Sequence, residues 1–163
     1  MAIDAYLQIE GINGESADND HPGWIELTSA QWGVTQPKSA TASTGGGHTA
    51  ERCEHRTLAI SKLADLCSPV LMQHCSSGKT LRKATLEFMR ADGNGNPVKY
   101  YVIELENVLI ASMDQVCHEG SGIHDAIGIR FSKVRWTYTQ QRIVGGAGGN
   151  AMGGWDLATN RTA

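Results

Sequence analysis

The chain has 163 residues, 40% of them hydrophobic and 19% charged, with a formal net charge of −3. This composition places it with folded proteins rather than disordered ones, and the length suits one domain over 1–163. It has no Lys/Arg run to serve nucleic acid or an anionic surface, and no apolar run near the roughly 20 residues of a membrane helix. Neither nucleic acid nor membrane insertion is therefore expected.

The start, Met1-Ala2-Ile3-Asp4-Ala5, lacks the positive region of a secretory signal. Synthesis in the cytoplasm is expected, with any export by a route that reads no N-terminal signal. The four cysteines, Cys53, Cys67, Cys75 and Cys117, form no C-x-x-C and are expected as free thiols.

Ile3, Ala5, Leu7 and Ile9 alternate with polar neighbours, which predicts a half-buried strand. Gly11 to Gly23 reads as loop, and Trp24 to Gln36 as a second strand bent at Gly33. Pro37 to Thr49 is rich in Ser, Thr and Gly, and a loop of that length is usually functional or mobile. The β pattern resumes from Glu51 to about Lys62, with Leu58 and Ile60 as its apolar face.

Ser68, Pro69 and Gly78 punctuate one short helix over Pro69 to Ser77, with Ser68 as the expected N-cap and Gly78 as the stop. Leu81 to Arg90 is a strand, followed by a turn through Asp92-Gly93-Asn94-Gly95-Asn96-Pro97. Val98 to Ala111 is a long strand with apolar residues on both faces, Tyr101, Ile103, Leu105 and Leu109 on one and Tyr100, Val102, Val108 and Ile110 on the other. One face of a small antiparallel sheet is normally wet, so the second face is expected to meet another subunit.

Ile127 to Thr139 reads as the last long strand. Its apolar phase switches from odd to even positions, which predicts a bulge near Ser132 or Lys133. The tail is Gly-rich and ends Gly154-Trp155-Asp156-Leu157, where Trp155 requires burial. At least six strands and one helix predict a mainly β protein closed as a barrel or sandwich.

Motifs that look like chemistry fail on spacing or context. Gly78-Lys79-Thr80 has Gln73 where a phosphate loop needs Gly, and it follows a helix instead of a strand. The calcium-like Asp92-x-Asn94-x-Asn96 has Pro97 and Ile103 where Gly and a bidentate Glu are required. Cys53 with His55, and Cys117 with His118, match no metal-finger spacing. Ser121, His124 and Asp125 are read as one loop rather than a converging triad, and Gly145 to Gly149 has no helix after it. Glu15, Asp18 and His21 read as a polar loop rather than acid and base. No catalytic residue, cofactor or metal is expected.

Blocks along the chain support a family. Tyr6-Leu7-x-Ile9-x-Gly11-Ile12-x-Gly14-Glu15-Ser16-x-Asp18-x-x-His21 resembles the opening of the Hcp family, the haemolysin-coregulated tube proteins of type VI secretion. Trp32-Gly33-x-x-Gln36, Lys62-x-x-Asp65-x-x-Ser68-Pro69 and Cys75-Ser76-Ser77-Gly78-Lys79 are similar to later family blocks, in family order. So are Val108-Leu109-Ile110-Ala111-Ser112, Trp136-x-Tyr138-x-x-Gln141 and the Trp155 tail.

The resemblance implies a closed β-barrel of two antiparallel sheets with one flanking α-helix and an extended loop. It implies a homo-hexamer whose rings stack as the inner tube inside a contractile sheath, with a spike protein at the tip and small effectors in the lumen. It also implies secretion after cytoplasmic assembly. An effector-carrier ring and a phage-type tail-tube protein are the alternatives. A closed ring needs two different contact surfaces on each chain. Tyr100, Val102, Val108 and Ile110 are the candidates for one. Gly45, Gly46, Gly47, Trp155, Asp156 and Leu157 are the candidates for ring stacking, and Ser29 and Gln31 for the lumen.

Departures are visible as well. Ala30 stands where many relatives carry Trp, and Cys53 and Cys117 are additional to the family's usual helix-exit Cys, which raises cross-linking after export. The tail already resembles the family's end, so no appended toxin domain is expected.

Overall fold

The computed structural model describes residues 4–37, 52–142 and 147–163. The expected stacking residues Gly45, Gly46 and Gly47 lie outside them. Twelve strands and one helix follow in order: β1 (Asp4–Ile9), β2 (Ile25–Leu27), β3 (Ser29–Gln31), β4 (Val34–Thr35), β5 (Glu54–His55), β6 (Leu58–Leu63), α1 (Ser68–Ser77), β7 (Thr80–Ala91), β8 (Pro97–His118), β9 (Gly122–Arg130), β10 (Lys133–Gln141), β11 (Ala147–Asp156) and β12 (Arg161–Thr162).

The mainly β, antiparallel reading holds, with one helix. The closed barrel of two sheets is not what the ladders form. A ten-stranded sheet runs β12-β11-β10-β8-β7-β1-β2 and branches at β8, from which β9, β6 and β3 form a second arm. Among the described residues no ladder joins β2 to β3. The chain itself steps between them at Thr28, whose N–H donates to Ser61 O at 2.8 Å. β4 and β5 pair separately. The expected strand over Trp24 to Gln36 is therefore three short ones, because its residues change partner from β1 to β6 and then to β5.

Strand β8 explains a misreading of the pattern. Ile103 and Leu105 are buried, then Val108 and Ile110, at 0% and 1% exposure. Asn107 between them has φ +52°, a left-handed backbone that rotates the strand by one phase. The apparent second apolar face is thus a switch of phase on a single core-facing side. Val108 and Ile110 are core residues and are not available to a neighbouring subunit. Tyr100 and Val102 remain half-buried on the surface.

The same corner divides the expected Ile127 to Thr139 strand. It breaks into β9 and β10 at Phe131 and Ser132, where the phase switch was expected. Asn107 Nδ2 donates to Ser132 Oγ at 2.8 Å, and Ser132 N–H donates to Glu106 O at 3.1 Å. Both sides of the bend are therefore pinned together. β9 lies along the distal half of β8, and β10 along the proximal half. The segment from Ser112 to His118, with His124 and Asp125 opposite, is strand and not loop.

Helix α1 stops at Gly78, which adopts φ +65° as a left-handed cap should. Its start differs from expectation. Cys67 occupies the cap position, and the Ser68 hydroxyl makes no cap but turns into a buried polar cluster. Leu71 is fully buried beneath the helix, while Val70 is 38% exposed. The Gly-rich tail forms β11 and β12, and Trp155 is half-buried against the chain's own core.

Candidate assembly surfaces

The arm β3-β6-β9-β8 has two chemically different faces, and the register fixes which residues share each. Gln31, Ala59, Gly128 and Ser112 stand in one cross-strand row, and Ser29, Ser61, Ala126 and Asp114 in the next. Leu63, His124 and Val116 form a third row. Side chains alternate along a strand, so these rows share one face, and most of their members are exposed. The first two rows are built mostly of small residues, and the third adds Leu63, His124 and Val116. A Cβ on Gly128 would sit 2.5 Å from Ser112 Oγ, so the two strands leave no room there for a larger residue without a shift. The lumen candidates Ser29 and Gln31 are both exposed and lie on this face.

The opposite face packs Ile60 and Ile127 into the core and carries one buried ionic cluster. Lys62 and Asp125 are register partners on β6 and β9, each fully buried, with Nζ 2.8 Å from Asp125 Oδ2. Lys62 Nζ also lies 2.8 Å from Asp65 Oδ1 and donates to Ser68 Oγ at 2.8 Å. Ser68 Oγ donates to Asp125 Oδ2 at 2.5 Å, and Gln115 Nε2 to Asp125 Oδ1 at 2.9 Å.

The cluster ties β6, α1, β8 and β9 together. Burial alone would push the Asp125 pKa up, but the bonds from Lys62, Ser68 and Gln115 outweigh it and hold the carboxyl below its ordinary range. Burial likewise opposes the Lys62 charge, and Asp125 and Asp65 reverse it, raising the ammonium pKa. Cys67, buried and bonded to Asp65 Oδ1 at 2.8 Å, has its thiol pushed up to about 12, chiefly by burial. This is an inert thiol.

A second cluster anchors the loop after β1. His21 lies 1% exposed between two carboxylates, Nδ1 2.7 Å from Asp18 Oδ2 and Nε2 2.7 Å from Glu87 Oε2. Its ring stacks on Tyr6 at 4.3 Å and meets Trp24 edge-on. The hydrogen bond from His21 holds the Asp18 pKa low. Lys99 Nζ closes the cluster on Glu87 Oε1 at 2.9 Å. These residues clamp a loop.

The remaining candidates spread over separate surfaces. Tyr100 lies under the Arg90 guanidinium at 4.7 Å, and Val102 pairs across to Glu87 and Thr137. Asp156 closes a tight turn by accepting from the N–H groups of Ala158 and Thr159, and Leu157 O accepts from Arg52. A groove beside them is lined by Val34, Arg52, Cys53, His55 and Trp155. His55 stacks on Trp136 at 6.0 Å, among the described residues neither of its ring nitrogens is hydrogen-bonded, and burial lowers its pKa. Cys53 and His55 thus share this groove, whereas Cys117 and His118 sit far along the β8–β9 hairpin. Sequence reading missed both buried clusters. The spacing of Lys62, Asp65 and Ser68 was the available clue to the first; nothing local tied it to Asp125.

A family model described as "Type VI secretion system effector, Hcp" matches residues 6–138. The chain belongs to the Hcp family. Protein hcp1 of Pseudomonas aeruginosa is 34% identical over 165 residues, with 98% of each chain covered. The Major exported protein of the same organism is 26% identical and covers 85% of this chain and 90% of its own. A solved type six secretion system protein matches with a TM-score of 0.92 at 25% identity, covering 99% of this chain and all of that one. Hcp1 from Salmonella typhimurium matches at 0.81 and 26% identity over the full length of both. The Hcp assignment carries the function to the level of a type VI secretion tube or effector protein. No described helix is long and apolar enough to cross a membrane.

Proposed function

We propose that this chain, as a single domain over 1–163, is the structural subunit of a type VI inner tube. Six copies close into a ring, and rings stack within a sheath behind a spike. The observation that carries assembly is the edge of β11. Its partner β12 meets it at Trp155 and Asp156, and Ala163 N–H beyond β12 donates to Gly154 O at 3.2 Å, so among the described residues Ala147 to Gly153 has no partner on that side. The stretch Ala-Gly-Gly-Asn-Ala-Met-Gly carries no charge and no proline, two of the devices by which sheet edges avoid pairing. Met152 on it is 65% exposed. Such an edge suits a neighbour in a ring. The meeting of the two arms at Thr28 supports a barrel-like wrap of the subunit.

In this reading the Ser29 and Gln31 face lines the lumen. Mostly uncharged side chains suit a channel that passes varied effectors without holding any. Tyr100, Val102 and the Trp155-Asp156-Leu157 tail, with Gly45 to Gly47, are the contact surfaces toward neighbouring copies and rings. Assembly is cytoplasmic and is followed by export; the Major exported protein among its relatives supports the second step.

The reading is tested by negative-stain microscopy of the purified chain and of Met152→Lys. Annular particles from wild type and none from the folded variant support it. Annuli from both would remove the β11 edge from the contact.

A further inference from the structure

Two histidines share one face at the far end of the β8–β9 hairpin. His124 stands opposite Val116, and His118 opposite Gly122, so the two imidazoles form a diagonal pair across the ladder. Their ring centroids are 6.0 Å apart, with 61° between the planes. His118 is exposed and His124 half-buried. Among the described residues, neither ring has a hydrogen-bonded or ionic partner. Gly120 and Gly122, at φ +84° and +79°, hold the tight turn that sets the two strands beside each other.

We propose that His118 and His124 are a bidentate site for a late first-row divalent ion of the zinc class. Imidazole is a ligand type that such ions favour. A metal–nitrogen bond of about 2.1 Å places the ion about 3.2 Å from each ring centre, so centroids lie about 5.2 Å apart on a tetrahedral ion and about 6.4 Å apart when trans. The observed 6.0 Å falls within that span. Closing the pair on a tetrahedral ion requires the centroids to approach by about 0.8 Å, the movement that a side-chain rotation of exposed His118 has to supply.

Cys117 and Ile123 alternate onto the other face, so the thiol is not a member. Among the described residues no three His, Cys, Asp or Glu converge on a metal position. The remaining positions therefore belong to water or to a donor from another molecule, and the ion exchanges freely. Oxygen-seeking Ca2+ and Mg2+ find no ligand set here.

The pair stands on the same face as Ser29 and Gln31. Its placement at one rim of a channel, as a circle of such pairs, rests on the tube reading. Its affinity does not.

The test is calorimetric titration of Zn2+ into the purified full chain and into His118→Asn, His124→Asn and Cys117→Ser. One ion per chain is expected, with at least a tenfold loss of affinity in each His variant and none in Cys117→Ser. Equal affinity in wild type and the His variants overturns the site, as does loss in Cys117→Ser or no binding to wild type at millimolar zinc. The oligomeric state is read on the same samples by native mass spectrometry. A monomer that binds zinc sustains the site and contradicts the ring, and a ring that binds none does the reverse.

Discussion

Replacing Lys62 by Met tests the buried ionic cluster most sharply. The substitution keeps most of the side-chain volume and removes, among the described residues, the only cation shared by Asp125 and Asp65, which are 0% and 12% exposed. Removing one partner of a buried pair costs about 3–5 kcal/mol, because the other charge stays behind without compensation. At about 2–4 °C per kcal/mol for a chain of this size, the midpoint should fall by about 6–20 °C. Adding Asp125→Leu removes the more deeply buried of the two stranded charges, so the double variant should be more stable than the sum of the two single losses predicts, by about 2 kcal/mol.

The pH dependence has a fixed sign. Asp125 has a depressed folded pKa, so its contribution is complete above the unfolded value and is lost as pH falls through the folded one. Lys62 has a raised folded pKa, so its contribution is complete below the unfolded value and is lost as pH rises through the folded one. Stability from the pair is therefore full across neutral pH, and Asp125→Asn should flatten the acid limb. Urea unfolding, followed by tryptophan fluorescence at one fixed protein concentration, reads both effects. A Lys62→Met variant within 1 kcal/mol of wild type, or strictly additive losses, would refute the reasoning.

The other outcomes concern local geometry. Gly14→Ala should destabilise by about 1–3 kcal/mol, because backbone blocks the new methyl: its Cβ would meet Trp24 O at 2.6 Å and Ile25 Cα at 2.8 Å. Iodoacetamide at mild alkaline pH should modify exposed Cys117 quickly and Cys67 only after unfolding, since the Cys67 thiol is pushed up to about 12; mass mapping that finds Cys67 labelled first would contradict this. His21→Gln should break the bridge between Asp18 and Glu87 and loosen the loop from Gly11 to Trp24, seen as faster amide exchange there while β9 keeps its protection.

The sequence made the element types legible where period and punctuation agreed, as in β1, β7 and the stop of α1 at Gly78. It misled where a single residue changed phase. Asn107 turned one core-facing stripe into what read as two apolar faces, and so placed Val108 and Ile110 at an interface. The φ of an asparagine is decided by long-range partners, here Ser132, and leaves no periodic trace. Short strands that change sheet partner, such as β2 and β3, are likewise set by tertiary contacts. The buried clusters stayed hidden for the same reason: Lys62 and Asp125 meet only through the β6–β9 register. Family motifs identified the protein class well because they span most of the chain in order.

The central claim is that this chain closes into a six-membered ring. Native mass spectrometry of the purified protein at micromolar concentration tests it directly. A single species at six times the mass of the 17.5 kDa chain is predicted. A monomer under those conditions, with the chain folded, would contradict self-assembly and leave only the Hcp fold standing.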